Sequence, residues 1–291
     1  MKHIYRIFTD ASADLIPEFA EKENIGVIPM LYTLGDEEFT CAGTEPTEVM
    51  RNYYNGEREG KMTHTSQISP QTYLERFRDL AQNGESILYI SLSGGLSSTY
   101  QSSVIAAEEL TEEFPDIKIR CIDSLSASVG IQLLLELAAE NRASGMDIDE
   151  NADWLEKNRL SVCHWFMVED LMYLKRGGRI SPAVAAVGTA LNIKPILRIE
   201  SDGKLINFAK RRGTKSALDQ LVKFYDEASE KPEGERICIV HADNEKYADY
   251  LEQELKKINP GCSISKNMLS PVIGCHTGPG MCAIVHFGKR I

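Results

Sequence analysis

The chain has 291 residues, of which 43% are hydrophobic, so it can bury the cores of two ordinary domains. Its 43 acidic and 32 basic residues give a formal net charge of -11. This charge repels phosphate backbones and anionic membranes, so we expect no nucleic-acid partner and at most transient membrane contact. No signal peptide or segment of transmembrane length is recognisable, which predicts a cytoplasmic protein.

The first half of the chain alternates between β-rich runs and helical patterns, which is typical of a parallel α/β sheet. Strands are predicted at residues 4–8, 25–31, 87–90 and 117–122. Helices are predicted to begin near Asp14, Pro46, Pro70, Ser97 and Ser126. Hydroxyl-rich segments follow four strand ends, at residues 9–12, 33, 91–98 and 123–126. Because ligands bind beyond the carboxyl ends of parallel strands, these segments predict one polar crevice.

The second half begins after a polar stretch and predicts a mixed sheet with helical cover. We place the boundary near residue 160, which divides the chain into domains 1–160 and 161–291. Strands are predicted at residues 161–168, 193–199, 205–210, 237–241, 263–269 and 283–287. Helices are predicted near residues 182–191, 214–230 and 244–258.

A loop rich in serine and glycine, residues 91–100, joins a predicted strand to a predicted helix. Hydroxyls and unbonded amides at a helix N-terminus bind anions, and Ser93, Ser97 and Ser98 are the candidate hydroxyls. No lysine follows the glycines, so the spacing of a nucleotide-binding P-loop is absent. A carboxylate or small phosphate is therefore favoured over a triphosphate.

Two further residues are candidates for binding a polar head group. Thr65 lies in a hydroxyl-rich run before a helix that Ser69 caps, too far upstream to be the cap itself. His276 lies in a stiff loop of glycines and prolines, residues 270–280, which favours a polar role for its imidazole. The alternative for each is structural, as a locally bonded hydroxyl and a satisfied buried histidine.

Basic residues cluster at two places in this acidic chain. Arg179 ends a run in which two glycines separate arginines, and Arg212 belongs to a second run, residues 210–215. Flexible backbone with guanidinium groups clamps phosphates or docks acidic partners, although such runs are also typical of solvated surfaces. The seven cysteines contain no Cys-x-x-Cys pair, and their spacing with His276 fits no familiar zinc site, so no metal is expected.

Motifs along nearly the whole chain together resemble the DegV family of bacterial fatty-acid-binding proteins. In the first half they are residues 9–15, 65–69 and 91–102, and Asp123-Ser124 with Ser128 and Gly130. In the second half they are residues 170–181, 194–197, 212–217 and 274–280. Ser98 departs from the family pattern, which has glycine there, so the main head-group contact is left open between Ser97 and Ser98.

The resemblance implies the acyl-carrying subunit of a fatty acid kinase. In such a protein a long-chain fatty acid lies in an apolar tunnel of the C-terminal domain, with its carboxylate at the junction with the N-terminal α/β domain. By the same likeness, Thr65, the serine loop and His276 contact the carboxylate. Arg179 and Arg212 engage the kinase catalytic subunit or the phosphorylated head group. The partner would catalyse acyl phosphate formation, so no catalytic residue and no cofactor is expected in this chain.

Two other functions are consistent with the residues. Ser97, an acidic residue such as Asp123 or Asp170, and His276 occur in the triad order of an α/β hydrolase or acyltransferase. The nucleophile elbow of that fold needs glycine two residues after the serine, whereas this chain has Thr99. A non-catalytic lipid sensor is the second alternative, and the sequence does not distinguish it from a carrier.

Overall fold

The computed structural model describes residues 5–183 and 192–290. In chain order the strands are β1 (Tyr5–Asp10), β2 (Gly26–Ile28), β3 (Met30–Leu34), β4 (Glu37–Cys41), β5 (Thr63–Thr65), β6 (Ser86–Ser91), β7 (Ile119–Asp123), β8 (Val162–Met167), β9 (Ile193–Ile199), β10 (Leu205–Arg212), β11 (Arg236–His241), β12 (Ser263–Met268) and β13 (Cys282–Phe287). The helices are α1 (Pro17–Lys22), α2 (Thr47–Arg58), α3 (Pro70–Gln82), α4 (Thr99–Glu113), α5 (Val129–Ala143), α6 (Ile148–Asn158), α7 (Met172–Arg176), α8 (Thr214–Ala228), α9 (Glu245–Ile258) and α10 (Pro271–Thr277). Of the helix predicted near residues 182–191, residues 184–191 lie outside the described residues.

The predicted α/β fold with two different sheets is confirmed. The first sheet has the strand order β2-β1-β6-β7, and all of its pairs are parallel. Every residue of β6 is buried, as expected for a strand covered by helices on both faces. The second sheet has the order β10-β9-β8-β13-β11-β12, in which β11 and β12 are parallel and the other pairs antiparallel.

A three-stranded antiparallel sheet, β4-β3-β5, was not predicted. The predicted strand at residues 25–31 is in fact two strands, of which β2 joins the parallel sheet and β3 joins this small sheet. Pro29 separates them, and proline breaks a strand because it has no backbone N–H for the ladder. Thr65 is the last residue of β5, so the small sheet sets its position.

Two helices replace segments that were predicted to be irregular. The polar stretch before residue 160 contains α6, which begins with a capping box between Asp147 and Glu150. The prediction of a stiff loop around His276 is also wrong, because residues 271–277 form the helix α10. Glycine fits at position 274 of this helix because a β-carbon there would lie 2.5 Å from the Tyr54 hydroxyl, and Gly278 ends the helix at φ +72°.

The two faces of β8 belong to different apolar cores. Cys163, Trp165 and Met167 pack with α8 and α9 in a core formed by the second half alone. Val162 and Phe166 face the other way, into a core that includes the parallel sheet. The predicted domain boundary near residue 160 lies between α6 and β8. It stays a prediction, because the core that includes the parallel sheet contains residues from both before and after residue 160.

Two buried aspartates, one within the first hydroxyl-rich segment and one shortly after it, hold neighbouring loops in place. Asp10 accepts hydrogen bonds from Tyr89 (2.7 Å) and from the Leu92 amide (3.3 Å), which begins the serine loop. Asp14 accepts a hydrogen bond from the Ser270 amide (2.9 Å), directly before α10, and another from the Ser128 hydroxyl. These aspartates therefore hold loops that border the cavity described below.

We expect Asp14 to make the free energy of unfolding pH-dependent. Burial raises its pKa from 3.8 to about 6, against the hydrogen bonds from Ser128 and Ser270. The folded protein therefore binds this proton more tightly than the unfolded chain does. The resulting stabilisation is full below the unfolded pKa and is lost as the pH rises through about 6, a change on the order of 2–3 kcal/mol.

Thermal melts of Asp14→Asn and wild type between about pH 4 and pH 7 measure this effect. The difference in Tm between the two proteins should change across that range, because only the wild type has the titrating group. The exposed Asp116→Asn serves as the control and should stay parallel to the wild type. A constant difference between Asp14→Asn and wild type at every pH would contradict the assignment.

Candidate functional site

A cavity lies between the inner face of the six-stranded sheet and loops of the first half. The space between its lining residues, including its opening to solvent, is about 810 Å³. Most of its lining side chains are apolar, and they come from both halves of the chain: Met30, Leu92, Leu96, Ala127, Phe166, Leu174, Ile199, Leu205, Val240, Val272, Ile273, Met281, Ala283 and Val285. An apolar cavity of this kind suits an apolar ligand.

The polar side chains Thr65, Ser97, Arg179 and His276 also line this cavity. Thr65 Oγ1 and His276 Nε2 are 2.9 Å apart, a hydrogen bond across 211 residues of sequence. Arg179 donates from Nε to the Leu96 carbonyl (3.0 Å), the residue before Ser97. The cavity lining therefore includes four of the seven residues that the sequence assigned to the site.

His276 is a neutral imidazole. Burial lowers its pKa to about 3, and the positive charge of Arg179 acts in the same direction. One ring nitrogen bonds to Thr65, whereas Nδ1 is buried without a hydrogen-bond partner among the described residues. Gly177 makes room for the ring, since a β-carbon there would lie 2.3 Å from Nδ1. A neutral imidazole can supply one donor and one acceptor to a head group.

Arg179 brings a positive charge to the cavity. Its guanidinium donates to the carbonyls of Leu96 and Gly177. Burial lowers its pKa, but a guanidinium stays protonated in proteins. Within residues 5–183 and 192–290, no carboxylate forms an ion pair with Arg179. A ligand carboxylate would therefore be the matching negative charge.

The serine loop differs from the predicted cradle of unbonded amides. The Gly94 amide donates to Asp123 (3.0 Å), and the Gly95 amide donates to the Ser93 hydroxyl (3.2 Å). Ser93 is buried and itself donates to the Gly203 carbonyl (2.8 Å) in the turn between β9 and β10. The glycine amides are thus used within the fold, and the loop joins the two halves of the chain.

Ser97 is the serine of this loop that lines the cavity. Its hydroxyl pairs with the Thr99 hydroxyl (2.8 Å) and accepts from the Thr99 amide (3.2 Å). Ser98 is exposed at the start of α4, and Arg212 is exposed at the end of β10. The structure therefore brings neither of these two, nor Ser93, into the cavity lining.

The sequence did not assign His164 or Ser128 to the site, although both line the cavity. A single histidine such as His164, with no motif around it, is typical of a structural residue. The signal was the period of two in β8, which places His164 on the same face as Val162 and Phe166. On this face of β8, His164 is the residue next to Phe166, two positions earlier in the sequence.

The hydrolase alternative lacks an assembled triad. The carboxylate of Asp123 accepts from the amides of Gly94 and Leu125, and that of Asp170 accepts from the Met172 amide. His276 bonds to Thr65, and Ser97 bonds to Thr99.

Across the described ranges, no three His, Cys, Asp or Glu side chains are arranged to hold a metal ion. None of the helices in those ranges has the length and apolar composition needed to span a bilayer.

Comparisons with known proteins agree with this geometry. A family model described as an uncharacterised protein of the DegV family matches residues 5–289. A DegV domain-containing protein of Clostridium perfringens is 37% identical over 282 residues, 97% of each chain. A fatty acid-binding protein of Thermotoga maritima is 34% identical over 296 residues, covering 98% of this chain and 97% of that protein.

Among solved structures, a DegV family protein from Thermus thermophilus described by its fatty acid binding has a TM-score of 0.86 at 28% identity. The match covers 98% of this chain and 99% of that one. Sequence and fold therefore agree over almost the whole length. This chain belongs to the DegV family.

Proposed function

We propose that this protein binds a long-chain fatty acid in the cavity and presents its carboxylate to a partner kinase. The observation that carries the proposal is an apolar cavity whose lining also includes the neutral imidazole of His276, the hydroxyls of Thr65 and Ser97, and the guanidinium of Arg179, which forms no ion pair within residues 5–183 and 192–290. The apolar lining would take the acyl tail. The carboxylate would lie against Thr65, Ser97 and His276, with Arg179 as its counter-charge. The fatty acid binding of relatives from Thermotoga and Thermus supports this ligand class.

The energetics divide the work between the tail and the head group. Burial of a methylene is worth roughly 0.8 kcal/mol, so about a dozen methylenes offer on the order of 10 kcal/mol before the cost of association. A hydrogen bond to a charged group contributes only about 1.5–3 kcal/mol. The tail would therefore supply most of the affinity, and the polar residues would fix which end reaches the opening.

The neutral state of His276 suits this role. If Nε2–H donates to Thr65 Oγ1, the threonine hydroxyl is free to donate to a carboxylate oxygen. If Thr65 donates to Nε2 instead, Nδ1–H is left to donate. Either tautomer gives the carboxylate one donor without a second full positive charge beside Arg179.

The chemistry would belong to the partner. In the proposed reaction a carboxylate oxygen of the bound acid attacks the terminal phosphorus of ATP, the bond to ADP breaks, and an acyl phosphate forms. This chain would hold the acid in place. Arg179 beside the carboxylate would stabilise the added negative charge, and the exposed Arg212 would contact the partner. Ser93 and Ser98 stay predictions as head-group contacts.

Mass spectrometry of an organic extract of the purified protein tests the ligand class. We expect a stoichiometric long-chain acid, because an apolar cavity is costly to leave filled with water. An extract without any acyl species, from protein that also fails to bind added fatty acid, would refute the proposal.

We expect Thr65→Val and His276→Phe to weaken the binding of a fatty acid by about tenfold or more, because each removes a hydrogen bond to a carboxylate. Binding of the corresponding methyl ester should change much less, since it lacks the charged head group. Titration calorimetry measures both ligands. Thr40→Val, on the exposed edge strand β4, is the control. Equal losses for acid and ester would place the head group elsewhere.

We expect Arg179→Ala to lower acyl phosphate formation by a fatty acid kinase catalytic subunit by at least about tenfold, through the loss of a charge-assisted contact. Arg212→Ala should raise the protein concentration needed for half-maximal turnover while leaving acid binding intact. The control is Arg76→Ala, an exposed arginine on α3. Unchanged turnover in both test variants would remove the presenting role and leave a lipid-binding protein without a kinase partner.

A further inference from the structure

Glu57 is a buried carboxyl group next to the strand that carries Thr65. It lies near the end of α2 and is 3% exposed. Its Oε1 accepts hydrogen bonds from the hydroxyls of Tyr53 (2.9 Å) and Thr63 (3.1 Å). Oε2 is buried without a hydrogen-bond partner among the described residues. Carboxyl groups are seldom buried in this way without a matching positive charge.

No basic side chain in the described part of the chain forms an ion pair with Glu57. Arg58 pairs with Asp243 instead, and the Arg176 guanidinium lies over the Tyr173 ring, 4.5 Å from its centroid. The charges of the two arginines favour the ionised form of Glu57, but burial has the larger effect and raises its pKa from 4.5 to about 7.

Thr63 connects Glu57 to the part of the cavity lined by Thr65 and His276. Thr63 and Thr65 are half-buried and the residue between them, His64, is exposed, so the two threonine side chains lie on one face of β5. Neighbours on one face of a strand are about 7 Å apart. Because Thr63 bonds to Glu57, the Glu57 carboxyl is about 10 Å from the Thr65 hydroxyl, which bonds to His276.

Cys275 shows independently that Glu57 is near this part of the cavity. It precedes His276 on α10, and the charges of Glu57 and Arg179 both act on its thiol. Glu57 and Arg179 therefore lie near the same part of α10, which is where the proposed function places the carboxylate of the ligand. One buried carboxyl group is thus close to the position of a second.

Glu57 changes its charge near neutral pH, whereas the ionisable groups around it do not. Burial raises the pKa of Cys275 to about 11 and lowers that of His276 to about 3. Burial also raises the pKa of the hydroxyls that surround Glu57 on α2 and α7, which are those of Tyr53, Tyr54 and Tyr173. These groups and the neighbouring arginines keep one charge state between about pH 6 and pH 8.5.

We propose that Glu57 takes up a proton when a fatty acid binds, so that this residue couples the affinity for the acid to pH. This inference rests on the proposed fatty acid function and adds a regulation of the same site. Its physical basis is repulsion between two carboxylates. At about 10 Å in a protein, each of them raises the pKa of the other by about one unit. Protonation of Glu57 removes this repulsion.

The affinity should fall as the pH rises. Bound acid raises the pKa of Glu57 further, so the complex holds this proton more tightly than the free protein does. The affinity is therefore highest below about pH 7 and declines as Glu57 ionises. We expect dodecanoic acid to bind about fivefold more weakly at about pH 8.5 than at about pH 6. Methyl dodecanoate, which has no charge, should bind equally at both.

Titration calorimetry of both ligands at the two pH values measures this dependence. Glu57→Gln keeps an oxygen that accepts the two hydrogen bonds but has no charge to lose or gain. It should therefore bind the acid at both pH values as tightly as the wild type does at the lower one. The controls are Glu48→Gln, exposed on the same helix, and His64→Gln, which removes the exposed titratable side chain of β5. Both should keep the fall in affinity.

Two further measurements do not require that Glu57→Gln folds. Calorimetry of the wild type in buffers of different ionisation enthalpy should show the uptake of about half a proton per bound acid near pH 7.5. Tyr53→Phe removes a hydrogen bond that favours the ionised form of Glu57, so the fall in affinity should move to higher pH.

Two results would overturn the inference while leaving fatty acid binding intact. One is a wild-type affinity that does not fall as the pH rises, or binding without proton uptake. The other is a fall that persists unchanged in Glu57→Gln and Tyr53→Phe, which would assign the proton to another group. If neither dodecanoic acid nor its ester binds at any pH, the proposed function itself is refuted.

Discussion

Hydrogen bonds between the two halves of the chain lie around the cavity and hold its borders. Ser93 bonds to Gly203, Asp14 bonds to the amide of Ser270, and the Tyr54 hydroxyl donates to the Leu269 carbonyl (2.9 Å). These contacts are buried, and a buried polar contact is specific in geometry because an unbonded group there is costly. The apolar residues between them are consequently free to line a cavity instead of packing against one another.

The guanidinium of Arg290 adds to this frame near the end of the chain. It donates to the carbonyls of Leu125, Val162 and Glu200, and so ties the loop after β7, the start of β8 and the end of β9. Each of these segments adjoins residues that line the cavity. The same frame determines the electrostatics of the site, because it keeps His276 buried and neutral beside the cationic side chain of Arg179. A carboxylate is the head group that such a pair would match.

Patterns within one element were readable from the sequence, whereas contacts between distant elements were not. The period of two in the strands and the caps of the long helices predicted both sheets and most helices. The split at Pro29 was missed because the apolar run continues across it. Helix α10 was missed because its glycines and proline suggested a loop, whereas Gly274 provides room for the Tyr54 side chain, a tertiary contact. The amides of the serine loop looked free because their partners, Asp123 and the Ser93 hydroxyl, depend on tertiary structure.

The site residues show the same division. Thr65 and His276 were chosen from their local surroundings, but their hydrogen bond joins segments that no local pattern connects. Arg179 was expected at a docking surface, and the structure adds that it lines the cavity. The resemblance to the DegV family supplied the fatty acid, which residue types in short motifs could not specify by themselves.

A crystal structure of the protein with a bound long-chain acid tests the central claim most directly. The account predicts the alkyl chain along Phe166, Ala283 and Val285, with its carboxylate within hydrogen-bonding distance of Thr65 or His276 and close to Arg179. A chain bound outside this cavity, or bound inside it with the carboxylate at His164, would contradict the account.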